Sequence, residues 1–213
     1  DRAGDTEVSR GDTSGTKMSR PPINLVRYED LRGKVPNGAL LLWRPTSILG
    51  RAICLGTSLR HRRWIRYSHA SMAAWAANER LFNLEMAVIR GGRHRPLSEQ
   101  IVRYPRSCEI WLPRDPAFNG DGAVRQMLWL MGQHYGWMDF ARIAVRTLFP
   151  RIALPAIVNT DDPDEPKGCS AAYAWAARTG GHIAPCPDKF DLEVTPADLE
   201  LSKFADYYAT PVL

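Results

Sequence analysis

The sequence predicts an α+β fold in which an antiparallel sheet packs against helices, one of which carries a cysteine at its start. Tyr67–Trp75 and Arg80–Val88 alternate apolar and polar side chains on either side of the turn Asn78-Glu79, which is the pattern of a β-hairpin. Ala39–Trp43 is a short apolar run, typical of a buried strand. Lys167–Arg178 contains five alanines and therefore predicts a helix, because alanine loses the least entropy in a helix.

The length of 213 residues fits one domain with an appendage. Residues 1–22 carry almost no large apolar side chain, so they cannot bury enough surface to offset the entropy of ordering. We therefore expect a flexible arm over residues 1–22 and a single domain over residues 23–213. No run reaches the roughly 18 apolar residues that a membrane span needs, and the first residues lack the apolar centre of a signal peptide.

Turn and capping residues define the elements before the hairpin. A helical turn is expected around Tyr28–Arg32, and Pro36-Asn37-Gly38 forms the turn before the first apolar strand. Ser47 is a suitable N-cap for a helix that continues to about Ser58. The apolar residues of that helix occupy a broad face, as in an amphipathic helix.

Beyond the hairpin, Gly91-Gly92 is expected to interrupt the second strand. Pro96–Val102 predicts a short helix with proline in its first turn, and Glu109–Leu112 predicts a strand. Ala123–His134 has apolar residues at helical spacing and predicts a helix that faces the core. Thr195, followed by proline, predicts the start of a short C-terminal helix.

Composition and charge favour a globular protein with an anionic partner. Hydrophobic residues make up 45% of the chain and charged residues 24%, which are ordinary globular values, and the net charge is +5. Such a charge suits an anionic polymer such as peptidoglycan, a lipid surface or nucleic acid, and it does not choose among them. We nevertheless do not expect a nucleic-acid partner. The densest positive cluster, Arg60, Arg62, Arg63 and Arg66, either binds anions or forms a solvated loop beside the site. The polar arm of residues 1–22 is a candidate contact for a protein partner.

The cysteines do not indicate a metal site. Cys54, Cys108, Cys169 and Cys186 form no CxxC pair, so we expect mostly free thiols. The acidic stretch Asn159–Lys167 lacks the glycine that a calcium-binding loop needs at its sixth position. We therefore expect neither a metal ion nor a cofactor.

Cys169 is the best candidate for a nucleophile. The unpaired N–H groups and the dipole at a helix start favour a thiolate and can hold an oxyanion. A cysteine hydrolase also needs an imidazole to take the proton and a polar group to orient that imidazole. His69 and Glu85 meet these needs if the hairpin brings them together, because facing side chains of adjacent strands lie about 5 Å apart. The alternative is a small buried residue at the start of an ordinary helix.

The order of these segments resembles a known superfamily. Strands with GALLLW, SHASMAAW and LFNLEMA, a helix ending in GQHYGW, and then GCSAAYAW are similar to the circularly permuted NlpC-type papain-like proteins, especially the YiiX-like branch. A more distant likeness is to lecithin:retinol acyltransferases. In ordinary NlpC peptidases the cysteine helix precedes the histidine strand, whereas here the histidine strand comes first. The resemblance covers roughly Pro36 to Arg178, although GALLLW lacks the acidic residue that usually follows the glycine in the family.

This resemblance implies a permuted papain-like domain whose sheet presents His69 and Glu85 to the Cys169 helix. Cys169 then matches the nucleophile, His69 the base and Glu85 the third polar residue of the site. Tyr135 matches a tyrosine that borders the substrate and assists the oxyanion. We add Ser170 and Trp137, which neighbour these motif positions in the chain, as further substrate-binding candidates.

The activity that the resemblance implies is a cysteine hydrolase that works through an acyl-enzyme, as a peptidase or amidase on bacterial cell-wall peptides. Such a protein would act in the cell envelope or be carried by a phage particle. An acyltransferase or thioesterase acting on lipids is an alternative, favoured by the apolar helix that follows Ser47 and by the neighbouring arginines. A second alternative is a structural or assembly component of a phage particle or secretion machine that retains the fold.

Overall fold

The computed structural model describes residues 22–136, 161–165 and 167–213. Apart from its last residue, the predicted arm over residues 1–22 lies outside these described residues. The described elements are, in chain order, β1 (Leu25–Arg27), α1 (Tyr28–Arg32), β2 (Leu40–Trp43), α2 (Ile48–His61), β3 (His69–Trp75), β4 (Leu81–Ala87), β5 (Gly91–Pro96), α3 (Leu97–Arg103), β6 (Cys108–Pro113), α4 (Gly120–Trp129), α5 (Cys169–Thr179), a 3₁₀ turn (Asp191–Glu193), α6 (Pro196–Leu201) and β7 (Ala205–Val212).

The seven strands form one sheet in the order β1-β7-β6-β2-β3-β4-β5. Strands β1 and β7 are parallel, and every other neighbouring pair is antiparallel. The first and last strands of the chain therefore share one edge, while the β3–β4 hairpin and β5 form the other. The predicted α+β fold with an antiparallel sheet is confirmed. The described part of the chain has six α-helices in addition to this sheet.

Capping residues begin two of the helices where the sequence predicts them. The Ser47 hydroxyl accepts the N–H of Gly50 at 3.1 Å and starts α2. Thr195 and Asp198 form a reciprocal capping box at α6, with proline in the first turn. Both caps satisfy N–H groups that a helix start would otherwise leave unpaired.

The prediction that Gly91-Gly92 interrupts the second strand is wrong, because β4 ends at Ala87 and the chain turns over residues 88–90. The two glycines are the first residues of β5, which pairs with β4. A side chain on Gly91 would lie 1.9 Å from the Gln133 carbonyl oxygen, and one on Gly92 would lie 1.8 Å from that of Leu130. The Gly92 N–H donates to the Gln133 carbonyl at 2.8 Å. The two glycines are thus required by the close approach of β5 to the loop after α4, which a strand with side chains could not make.

The core has two parts, one on each face of the sheet. On one face, α4 and α5 pack against the strands, and on the other face α1 and α3 do so. Helix α5 is buried on all sides from Cys169 to Ala177, and its alanines allow this close packing. Among the described helices, none is both long enough and apolar enough to cross a bilayer.

Candidate active site

Cys169 is the first residue of α5 and is 7% exposed. The preceding residue, Gly168, has extended backbone angles and no side chain that could cap the helix. The first N–H groups of α5 are therefore available to a ligand or to the sulfur itself, and the helix dipole adds positive charge there. The Ser170 N–H donates to the Cys169 sulfur in this way.

The neighbouring strand also contributes a donor to the sulfur. Pairing between β3 and β4 runs from Trp75–Leu81 to Met72–Leu84. Beyond that point, the N–H of Ala70 donates to the Cys169 sulfur. The start of α5 thus lies where the β3–β4 ladder ends, and this brings the thiol to the strand that carries His69.

His69 links the thiol to a carboxylate. Its side chain is hydrogen-bonded to Cys169, and its Nε2 lies 2.7 Å from Glu85 Oε2. Because Nε2 is bound to Glu85, Nδ1 is the ring nitrogen that can exchange a proton with the thiol. The His69 side chain keeps 21% of its surface exposed, so the site can be reached from solvent at the imidazole.

Glu85 is held from two further directions. Arg93 on β5 donates from Nε to Glu85 Oε1 at 2.8 Å. Its Nη2 lies 2.7 Å from the same oxygen. Gln100 on α3 donates to the same oxygen at 3.1 Å and accepts from Asn83 at 2.6 Å. Oε1 of Glu85 therefore accepts from Arg93 and Gln100, and Oε2 is bound to His69. A carboxylate held in this way fixes the imidazole in one orientation.

The charges of the three groups shift one another. Burial opposes ionisation of Cys169, but the positive charge of His69 and the hydrogen bonds to the sulfur lower the pKa of the thiol below its usual value. Burial also disfavours the imidazolium, yet the Cys169 thiolate and Glu85 raise the pKa of His69 to about 10. For Glu85, the effect of burial is outweighed by His69 and Arg93, which lower its pKa to about 2. The site therefore favours a thiolate–imidazolium pair beside a carboxylate.

The other three cysteines show the opposite behaviour. Burial raises the pKa of Cys54 to about 11 and that of Cys186 to about 12. Burial raises the pKa of Cys108 well above its usual value. All four are free thiols, as the sequence predicts, and only Cys169 is favoured as a thiolate.

The predicted substrate-binding residues differ in where they lie. The Tyr135 hydroxyl lies 3.5 Å from the position of a β-carbon on Gly168, and the adjacent Gly136 N–H donates to the Lys167 carbonyl at 3.1 Å, so Tyr135 borders the start of α5. The Ser170 hydroxyl donates to the Val194 carbonyl at 2.6 Å and holds the 3₁₀ turn, so only its backbone N–H points to the sulfur. Trp137 lies outside the described residues.

The arginine cluster is divided between two environments. Arg66 donates to the Tyr67 hydroxyl at 2.9 Å and lies 3.6 Å from the buried carboxylate of Glu109. Arg62 and Arg63 are exposed after the end of α2. Arg60 belongs to the last turn of α2, and its side chain lies outside the described part of the chain.

Three supporting residues were missed by the sequence analysis. Arg93 and Gln100 lie on β5 and α3, and the missed strand β5 hid the position of Arg93 opposite Glu85. Lys167 is fully buried, donates to the carbonyls of Asp162 and Glu165 at 2.8 and 2.9 Å, and lies over the Trp175 ring. It therefore fixes the acidic loop against α5, two residues before Cys169.

The described residues contain a cavity that lies away from Cys169, and they contain no candidate metal-binding cluster. No group of three or more His, Cys, Asp or Glu side chains in the described ranges is arranged to bind a metal ion. A cavity of about 630 Å³ lies elsewhere, between α1 and the β4–β5 edge, where Arg27, Arg32 and Arg80 line it. This cavity is therefore separate from Cys169, His69 and Glu85.

Comparisons with known proteins do not add a family. No protein-family model matches the chain, and no curated protein matches it.

Proposed function

We propose that this protein is a cysteine hydrolase that acts through an acyl-enzyme, with Cys169, His69 and Glu85 as its triad. The observation that carries the proposal is the continuous hydrogen-bonded path from the Cys169 thiol through His69 to Glu85. The lowered pKa of Cys169, set against the raised pKa of the three other cysteines, supports it. The finer assignment to a permuted papain-like fold rests on the segment order described above.

The reaction follows from this geometry. The thiolate of Cys169 attacks a carbonyl carbon, so a C–S bond forms and the carbonyl oxygen becomes an oxyanion. The N–H groups at the start of α5, with Tyr135 beside them, are suitable donors for that oxyanion. The His69 imidazolium gives its proton to the leaving nitrogen as the C–N bond breaks. Water then attacks the thioester, His69 accepts its proton, and the acid is released while Cys169 regains its thiolate.

Bacterial cell-wall peptides are the substrate class that we propose. The NlpC-type resemblance favours an amide bond of such peptides, and the net charge of +5 suits an anionic polymer. The cell envelope or a phage particle is the proposed setting. The arm over residues 1–22 is a candidate contact for a protein partner there.

Digestion of purified bacterial sacculi tests this proposal. The protein should release soluble muropeptides with a newly formed carboxylate and amine, detected by mass spectrometry. Cys169→Ala should release none, whereas Cys186→Ser, a matched change at a thiol of raised pKa, should keep the wild-type rate. No release by the wild type, or equal release by Cys169→Ala, would contradict the proposal.

A lipid-directed acyltransferase or thioesterase is the second candidate. It is favoured by the exposed apolar residues of α2, where Ile48 is 89% and Leu59 is 67% exposed. Both candidates share the acyl-enzyme at Cys169, so they differ in the acyl donor. Transfer of radiolabelled acyl chains from phospholipid vesicles to Cys169, with intact sacculi, would favour this candidate over the peptidase.

A further inference from the structure

We propose that α2 and the arginines at its end form a docking surface for a bilayer containing anionic lipids. This surface, named here the α2 face, comprises Ile48, Ala52, Leu55 and Leu59 with Arg51, Arg62 and Arg63. The inference concerns where the protein binds and stands independently of the proposed hydrolysis.

Helix α2 buries its small residues and exposes its large apolar ones. Gly50, Cys54 and Thr57 face the protein, the last two being 7% and 6% exposed. Ile48, Leu55 and Leu59 are 89%, 59% and 67% exposed. At about 100° per residue, Ile48, Ala52, Leu55 and Leu59 fall within roughly 60° of one another, on the side opposite to the buried residues.

The orientation of α2 is fixed by close packing, so the leucines cannot be buried by turning the helix. A side chain on Gly50 would lie 3.0 Å from the Ser68 hydroxyl and 3.1 Å from a side-chain carbon of Pro45. At the other end, His61 lies 3.4 Å from Asp198 of α6. The helix is thus held at both ends with its small residues against the protein, and the apolar stripe faces outward.

The charged side chains of α2 and of the segment that follows it are all arginines. The carboxylates that approach α2, Asp198 near His61 and Glu200 near Cys54, come from α6 on the side opposite to the apolar stripe. Between Leu31 and Asn78 the sequence has no Asp or Glu, and the stretch from Arg44 to Arg66 contains six arginines, counting both ends. Glu109, from another strand, is bound to Arg44 and lies near Arg66. Arg51, Arg62 and Arg63 are exposed, and none of the ion pairs between described residues involves them.

An anionic bilayer is the occupant that matches both properties. Leucine and isoleucine side chains can enter the boundary between headgroups and acyl chains while guanidinium groups remain at the phosphates. Trp64, which is 70% exposed just after Arg63, is a residue type that is enriched at that depth. A β-carbon on Gly50 of α2 would lie 3.0 Å from the Ser68 hydroxyl, and Ser68 directly precedes His69. Binding through α2 would therefore bring the strand that carries His69 close to the membrane surface.

Co-sedimentation of the full-length protein with vesicles tests the proposal. Wild-type protein should bind vesicles of phosphatidylcholine with 30% phosphatidylglycerol and bind pure phosphatidylcholine at least tenfold more weakly. Replacing both Arg62→Gln and Arg63→Gln should weaken binding to the anionic vesicles about thirtyfold, since each arginine near an anionic surface contributes about a factor of five. Replacing Leu55→Ser and Leu59→Ser should weaken it by at least tenfold, through lost apolar burial.

Matched substitutions on other helices test whether vesicle binding is specific to the α2 face or is nonspecific adsorption. Leu128 and Val102 are exposed on α4 and α3, and Arg125 and Arg103 are exposed on the same two helices. The pairs Leu128→Ser with Val102→Ser, and Arg125→Gln with Arg103→Gln, should each bind within twofold of wild type. Circular dichroism should show every variant folded, because all the altered side chains are at the surface.

Three results would overturn the proposal. The first is no sedimentation of the wild type with either vesicle, and the second is an equal loss of binding in the control pairs. The third is a concentration-dependent dimer, without vesicle binding, that Leu55→Ser with Leu59→Ser abolishes. That result would assign the α2 face to a second copy of the chain.

Discussion

Two buried glutamates of the same sheet have similar arginine partners and different consequences. Glu109 on β6 accepts from Arg44 at 2.6 Å and lies near Arg66, and its other oxygen accepts from the Tyr67 hydroxyl. Glu85 on β4 accepts from Arg93 and gives its other oxygen to His69 at 2.7 Å. The two sites are separated by β2 and β3.

The group at the second oxygen decides what each glutamate can do. Burial and the charge of Glu109 raise the pKa of Tyr67, so this phenol keeps its proton and the cluster is structural. The Cys169 thiolate and Glu85, in contrast, raise the pKa of His69, so the imidazolium form is favoured beside the thiol. A buried carboxylate with an arginine is therefore not itself evidence of chemistry. What distinguishes Glu85 is that its titratable partner, His69, is also hydrogen-bonded to the Cys169 thiol.

The largest effect is expected from removing the partner of each glutamate. His69→Asn should lower kcat/KM about 10³-fold, because the base and acid for both half-reactions are lost. Tyr67→Phe should leave kcat within twofold and destabilise the fold by about 1–3 kcal/mol, since Glu109 loses a buried donor. Steady-state kinetics and urea unfolding measure the two. A loss of kcat in Tyr67→Phe equal to that in His69→Asn would contradict the view that the Glu109 cluster is structural.

Neutralising the glutamates should give the next largest effect. Glu85→Gln and Glu109→Gln should each lower the free energy of unfolding by about 3 kcal/mol, because each leaves a partly buried arginine without its carboxylate. Only Glu85→Gln should also lower kcat, by about 10²-fold, since the imidazolium loses its counter-charge. Unfolding by urea and the release of product are measured on the same preparations. Unchanged kcat in Glu85→Gln would remove Glu85 from the site.

The acid side of the stability profile tests whether Glu85 is held as an anion. The pKa of Glu85 is about 2 in the folded protein and 4.5 for an ordinary glutamate. A lowered folded-state pKa means that the stabilisation is complete above pH 4.5 and is lost as the pH falls toward 2. Wild-type protein should therefore lose stability over this range more steeply than Glu85→Gln, as measured by urea unfolding at each pH. Identical slopes would show that Glu85 is not held as an anion.

The smallest effect is expected at Arg93, which acts through Glu85. Arg93→Gln should lower kcat about five- to tenfold with little change in KM, because the carboxylate is less firmly oriented. Arg93→Lys should restore part of the rate, since it keeps the charge and loses the paired contact. The pH profile should shift as well, with the loss of rate at alkaline pH moved upward, because the imidazolium is no longer disfavoured by the arginine. A change in KM alone would mean that Arg93 contacts substrate instead.

The sequence predicted the hairpin but not how its two strands bring His69 to Glu85. Alternation put Asn83 and Glu85 on one face, and the observed register pairs Met72 with Leu84. Continued along the strands, that register sets His69 opposite Ala87, so Glu85 reaches the imidazole diagonally. Alternation defines faces and not register, which depends on packing between distant parts of the chain.

Gly91-Gly92 was misread as the end of a strand, although these glycines begin β5. Gly91-Gly92 resembles an interruption, but the missing side chains serve the close approach of β5 to the loop after α4. Because β5 was missed, Arg93 could not be placed beside Glu85. Cys169 was easier to find, since glycine, cysteine and an alanine-rich run together mark a helix start within one short stretch.

The pH dependence of alkylation at each cysteine tests the central claim most directly. Iodoacetamide labelling, resolved by peptide mass spectrometry, should modify Cys169 well below pH 8.5 while Cys54, Cys108 and Cys186 stay unmodified. Its rate should hold to about pH 10, where His69 loses its proton, and then change. The reactivity near neutral pH should disappear in His69→Asn and persist in Tyr67→Phe. Parallel labelling of all four cysteines, only at high pH, would contradict the account.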